Sequence, residues 1–149
     1  MRDRNKLRLM TRLASVQRVG KAAAEAALMA ARAAEAQALA EREEAEGRSE
    51  SARSDWAEHV SGSGFSPEFS GALAARAVER DLSAAQARGR AERSAETAAR
   101  RLSDFQASEA RSRSGEDEVR RMKRRVGARI EEGRLAEMAD RVTFDWIRR

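Results

Sequence analysis

Ser61-Gly62-Ser63-Gly64-Phe65-Ser66-Pro67 is the stretch that decides the fold. It holds the one proline of the chain and two of its nine glycines. On either side the sequence reads as helix for tens of residues. Gly62 and Gly64 can adopt positive φ and so end an incoming helix. Ser66 suits an N-cap, and Pro67 suits the first helical position, where its missing N–H costs nothing. Glu68 then puts negative charge in the first turn, where the helix dipole favours it. A single short break between two long arms predicts a chain that folds back on itself. The expected fold is all-α: a long antiparallel two-helix coiled-coil hairpin, with residues 1–149 forming a single helical-hairpin domain. Helix 1 is expected over residues 3–60, the turn over 61–66 and the longer helix 2 over 67–147.

Composition agrees with long helices rather than a compact globule. Charged residues make up 37% of the chain, with 32 alanines and no tyrosine or cysteine. Ala, Arg and Glu with apolar residues at helical spacing mark coiled coils. Without cysteine there is no disulfide and no thiolate metal site, which fits a reducing compartment. No run of about 18 apolar residues occurs, so no membrane span is expected. The N-terminal Met1-Arg2-Asp3-Arg4-Asn5-Lys6-Leu7-Arg8 is basic but lacks the apolar core of a secretory signal.

In the first arm, Leu9, Leu13, Val16, Ala23, Ala27, Ala30 and Ala34 recur by threes, fours and one seven and are expected to form the buried seam. Arg18, Lys21, Glu25, Arg32 and Glu35 are read as the opposite, solvated face. Of residues 22–40, 12 of 19 are alanine, so the seam allows close approach but buries little. Trp56 is expected to pack across the turn against Phe65, Phe69 and Leu73, and His59, near the turn, to be solvated. In the second arm the stripe reads Leu73, Val78, Leu82, Ala85, then Ala91, Ala95, Ala98, Leu102 and Phe105. It lapses at Ser112-Arg113-Ser114-Gly115. Two readings stand there: a fresh N-cap at Ser114 with a kink or break near 112–116, or one continuous helix with a polar stutter. Val119, Met122, Val126 and Ile130 resume the stripe.

Folding back near residue 64 sets Leu9 opposite the region of Val119 and Val16 opposite Ser112. Residues beyond Arg125 then run past the N-terminal arm. Leu135, Met138, Val142, Phe144, Trp146 and Ile147 are left as an apolar stripe without a partner in the chain, the pattern of an interaction surface. Charge is polarised: residues 1–21 carry net +6, residues 111–149 net +4 and residues 22–110 net −5. Both chain ends therefore fall at a basic end, with Arg120-Arg121-Met122-Lys123-Arg124-Arg125 as its densest run.

No catalytic constellation is present. There is no Gly-rich phosphate loop, no metal-ligand spacing and a single histidine, so no enzyme and no cofactor are expected. The basic end could attract nucleic acid. Against that, its cations are embedded in an apolar helical stripe and flanked by Glu116, Asp117 and Glu118, so the run reads first as a solvated helix face.

The layout resembles the FliJ/YscO family of type III secretion, small two-helix coiled-coil hairpins of this length. The family's recognisable C-terminal run is basic, apolar, Asp, Glu, any, Ala, any, Arg. Arg134-Leu135-Ala136-Glu137-Met138-Ala139-Asp140-Arg141 matches it at Arg134, Leu135, Glu137, Ala139 and Arg141. Ala136 departs from it, standing where the pattern has aspartate. The resemblance implies a stalk whose end carrying both termini enters the ring of the export ATPase. It also implies contacts with the export gate and with late-substrate chaperones, in the bacterial cytoplasm or peripheral to the inner membrane through those partners. On that reading the partner-binding residues are Arg134, Leu135, Glu137, Met138, Ala139, Arg141, Val142 and Trp146. A generic coiled-coil adaptor or structural rod is the alternative, with a basic nucleic-acid-binding coiled coil third.

Overall fold

Long stretches free of proline and rich in alanine, arginine and glutamate favour helix at every position, and i,i+4 pairs such as Arg42 with Glu46 and Gln37 with Glu41 add to it on the surface. Propensity alone does not hold helices of this length; packing of one helix on another does. The computed structural model describes residues 2–147, the side chains of Arg2, Asp145 and Ile147 excepted. It contains two helices, α1 (Arg2–Ser61) and α2 (Pro67–Ile147), packed against each other as an all-α helical hairpin. Among the described residues no helix is long and apolar enough to cross a membrane.

The turn falls where the sequence places it, but its chemistry differs. No glycine takes positive φ among the described residues. Instead, the Ser61 hydroxyl donates back to the carbonyls of Ala57 (2.9 Å) and Glu58 (3.3 Å), acceptors that the helix end would otherwise orphan. Gly62 is needed for close approach: a Cβ there would lie 3.0 Å from the Glu58 carbonyl oxygen. Ser66 then opens α2, its carbonyl accepting the first helical bond from Ser70 N–H at 2.8 Å.

His59, expected to be solvated, clasps this turn. It is half-buried, with Nε2 3.3 Å from the Ser66 N–H nitrogen and 3.2 Å from the Ser66 carbonyl oxygen. A neutral ring accepts from the first or donates to the second according to its tautomer. Phe69 meets the ring edge-on at 4.9 Å, and Phe65 lies tilted at 5.9 Å. The phenylalanines thus pack on His59. Trp56, given that role by the sequence, stays 40% exposed over a groove shared with Arg53, Ala57, Ala77 and Val78.

Contacts divide the chain into two units, one spanning Glu25–Asp104 and the other Met1–Ala24 with Phe105–Arg149. Within the turn-containing unit, the buried side chains are Leu28, Ser49, Ala52, Ala77, Ala84, Ala87, Ala91 and Ala98. Small residues allow close backbone approach, at ~0.8 kcal/mol per buried methyl or methylene. Polar contacts pin the pairing: Asp81 accepts from buried Ser49 and from Arg53, and Arg88 reaches Glu46 at 3.5 Å.

Within the unit that carries both chain ends, Ala14, Ser108, Ser112, Val119 and Met122 are buried. Lys21 donates to Glu109 at 3.2 Å while its ammonium lies 5.9 Å from the centre of the Phe105 ring. Gln17 lies over Gly115, and Arg129 pairs with Asp3. Gln17 opposite Gly115 and Lys21 opposite Glu109 set a register a few residues from the one expected.

The seam of α1 is the main correction. Positions 7, 10, 14, 17, 21, 24, 28, 31, 35 and 38 are buried or half-buried, alternating by threes and fours as a heptad seam does. Leu9, Leu13, Val16, Ala23, Ala30 and Ala34 are exposed instead, and only Ala27 of the expected stripe is half-buried. Lys21 and Glu35, read as solvated, lie in the seam. Long polar side chains can lay their stems there and keep their heads in water. In α2, Val78, Leu82, Ala85 and Ala95 are likewise exposed, whereas Ala91, Ala98, Val119 and Met122 are buried as expected. α2 runs through Ser112 to Gly115 as continuous helix, so the reading with a fresh N-cap at Ser114 and a break there is set aside.

Candidate protein-binding surfaces

The helical rotation of about 100° per residue sorts the side chains beyond Arg129 into faces. Leu135, Met138, Val142 and Trp146 fall on one face, with Ala139 at its edge. Arg134 and Arg141, seven residues apart, line one flank. Glu137 points away. Phe144, grouped with the stripe in the sequence reading, sits on the opposite face, half a turn of the wheel from Leu135. Ile147 lies outside the residues whose side chains are described.

Every described side chain from residue 131 to Trp146 is exposed, including all eight residues proposed for partner binding. Trp146 is 84% exposed, and Leu135, Met138 and Val142 all exceed 60%. The preceding turns are different: Val119 and Met122 are buried against α1, and Arg129 makes the ion pair with Asp3. α2 therefore leaves the seam near residue 130 and continues as helix with its described side chains exposed.

The charge of this end is layered. Residues 120–129 hold six basic and no acidic residues; residues 130–147 hold Arg134 and Arg141 against five acids, net −3. The strongly basic part is thus the paired part, and the exposed segment is mildly acidic. Lys6, Met10, Glu118, Arg121, Met122 and Arg125 line a shallow groove of about 270 Å³ in the basic layer.

A second apolar surface comprises Leu9, Leu13 and Val16, which the sequence assigns to the seam, and Val19, which it does not. Leu9, Leu13, Val16 and Val19 are 56–71% exposed. Leu9, Leu13 and Val16 share one face of α1, and residues 4–19 around them hold five basic and no acidic residues. The seam here is Leu7, Met10, Ala14 and Gln17, so large apolar side chains lie on two faces of this segment and size alone does not choose between them. Among the described residues, no cluster of three or more His, Asp or Glu side chains could hold a metal ion.

Comparison of the chain with protein-family models, with characterised proteins and with solved structures finds no match.

Proposed function

We propose that this protein is a non-enzymatic stalk of a type III, flagellar-type, protein export apparatus, and that residues 134–147 contact the export ATPase ring. The observation that carries the reading is the continuation of α2 past its last ion pair with α1, exposing Leu135, Met138, Val142 and Trp146 on one face. The resemblance at Arg134–Arg141 supplies the identity of the partner. Apolar anchors of this type supply most of the energy of a protein interface. The arginines on the flank, and the basic layer behind them, supply orientation and encounter rate. Contacts with the export gate and with export chaperones belong to the same proposal.

Truncation after Gly133 tests it. The described side chains of the removed segment are exposed, so helicity per residue stays close to that of the full chain, while stimulation of the export ATPase is lost. Leu135→Ala with Met138→Ala weakens ATPase binding more than Arg141→Ala at physiological salt. Full ATPase stimulation by the truncated protein would remove the assignment and turn attention to the acidic turn-containing unit.

A further inference from the structure

Two apolar stripes of the same unit face solvent: Leu9, Leu13 and Val16 on α1, and Leu135, Met138, Val142 and Trp146 on α2. We propose that they cover each other between two copies of this chain, the α2 stripe of one copy packing on the α1 stripe of the other and a twofold axis repeating the contact.

Three observations carry this. Both stripes are short: residues 9–16 span about 10 Å and residues 135–146 about 16 Å at the helical rise of 1.5 Å per residue, so the α1 stripe fits within the length of the α2 stripe. They are opposite in charge, with five basic and no acidic residues over 4–19 and net −3 over 130–147. They cannot meet within one chain, because α2 is unbroken from Pro67 to Ile147 and has no hinge with which to turn back onto its own α1. A twofold pair satisfies all four stripes at once, as an isologous dimer does. An anionic lipid surface would suit the basic α1 stripe, but it would repel the acidic segment and leave the α2 stripe open. The inference does not depend on the identity of an export partner; a partner taking the α2 stripe would displace the second copy.

The test uses the full chain alone. Sedimentation velocity over a range of concentrations is expected to show a monomer–dimer equilibrium that weakens with added salt. Leu9→Ala with Leu13→Ala weakens it about tenfold or more, and Leu135→Ala with Met138→Ala does the same. These side chains are exposed in the monomer, so circular dichroism is expected to be unchanged. The chain has no cysteine, which makes cross-linking unambiguous. Leu13→Cys and Val142→Cys sit near the middle of their stripes. Under mild oxidation a mixture of the two variants gives the heterodimer, and neither variant alone gives a dimer. Three results overturn the proposal: a monomer at every soluble concentration, self-cross-linking of the Val142→Cys variant alone, or a monomer that binds phosphatidylserine vesicles through Leu9 and Leu13. The last would assign the α1 stripe to a lipid surface.

Discussion

Asp81 shows how a single side chain fixes pairing in a seam made of alanine. Alanines interlock weakly, so neighbouring registers differ little in burial. Asp81 discriminates between them by accepting from the Ser49 hydroxyl and from Arg53, at 2.7 Å from Nη2 and 3.1 Å from Nε. The Arg53 hydrogen bond, followed by that of Ser49, holds the Asp81 carboxyl below its ordinary value. Lys21 does the same to Glu109, with Arg113 adding its charge. A depressed carboxyl contributes stability that is fully present above the ordinary carboxylate range and is lost as pH falls through the depressed value. Both groups therefore predict a urea midpoint that is flat from neutrality down to about pH 5 and falls below about pH 4. Asp81→Asn is expected to lower the midpoint at neutral pH and to flatten the acid limb, leaving the part due to Glu109. An acid limb of unchanged steepness in Asp81→Asn would show that the Arg53 pair does not set the acid response.

At the scale of elements, the helix bounds were legible and the seam was not. The turn announces itself through Ser66, Pro67 and Gly62, whose backbone needs are local. Which face of α1 is buried is decided by fit across the hairpin; near its start large apolar side chains lie on two faces, Leu7 and Met10 on the one that packs and Leu9, Leu13 and Val16 on the one that stays exposed. The exposed stripe at Leu135, Met138, Val142 and Trp146 was legible because arm lengths alone leave it beyond the pairing. The lapse at Ser112-Arg113-Ser114-Gly115 has a packing cause rather than a break: Ser112 is buried, and Gly115 makes room for the Gln17 side chain. Among the described residues Gln17 Oε1 finds no hydrogen-bond partner there, a cost to the fold. A Cβ on Gly115 would overlap that oxygen, and the close neighbours are all Gln17 side-chain atoms rather than backbone. Gly115→Ala therefore displaces only a flexible tip and returns the orphan oxygen to water. It also gains the ~0.5–1 kcal/mol by which alanine exceeds glycine inside a helix. The expected result is a melting temperature higher by ~1–4 °C; a fall of several degrees would mean that Gln17 cannot leave its site.

For the whole molecule, the distribution of burial sets where stability resides. Among the described residues no large side chain is fully buried, so the fold rests on many small contacts. These concentrate at Leu28, Ala52 and the run from Ala77 to Ala98, and again at Ala14, Ser112, Val119 and Met122. Every described side chain from residue 131 to 146 is exposed, and a helix of that length is marginal by itself in water. Amide hydrogen exchange reads this distribution directly, because segments with few buried contacts open at small free energy and core segments approach the global value. Protection is expected to peak around residues 84–98 and to fall steeply beyond residue 130. Anything that binds the exposed segment only when it is helical, whether a second copy or an ATPase ring, must raise its protection by mass action, by about 2.7 kcal/mol at a concentration a hundred times Kd. The comparison to make is therefore exchange at low and high protein concentration, then with the ATPase added. Rising protection confined to residues 5–19 and 131–146 identifies the two stripes as the surfaces that are covered. Uniform protection along α2 at the lowest concentration would mean that the last helical turns are held by something other than their neighbours in α1, and would count against both stripes as docking surfaces.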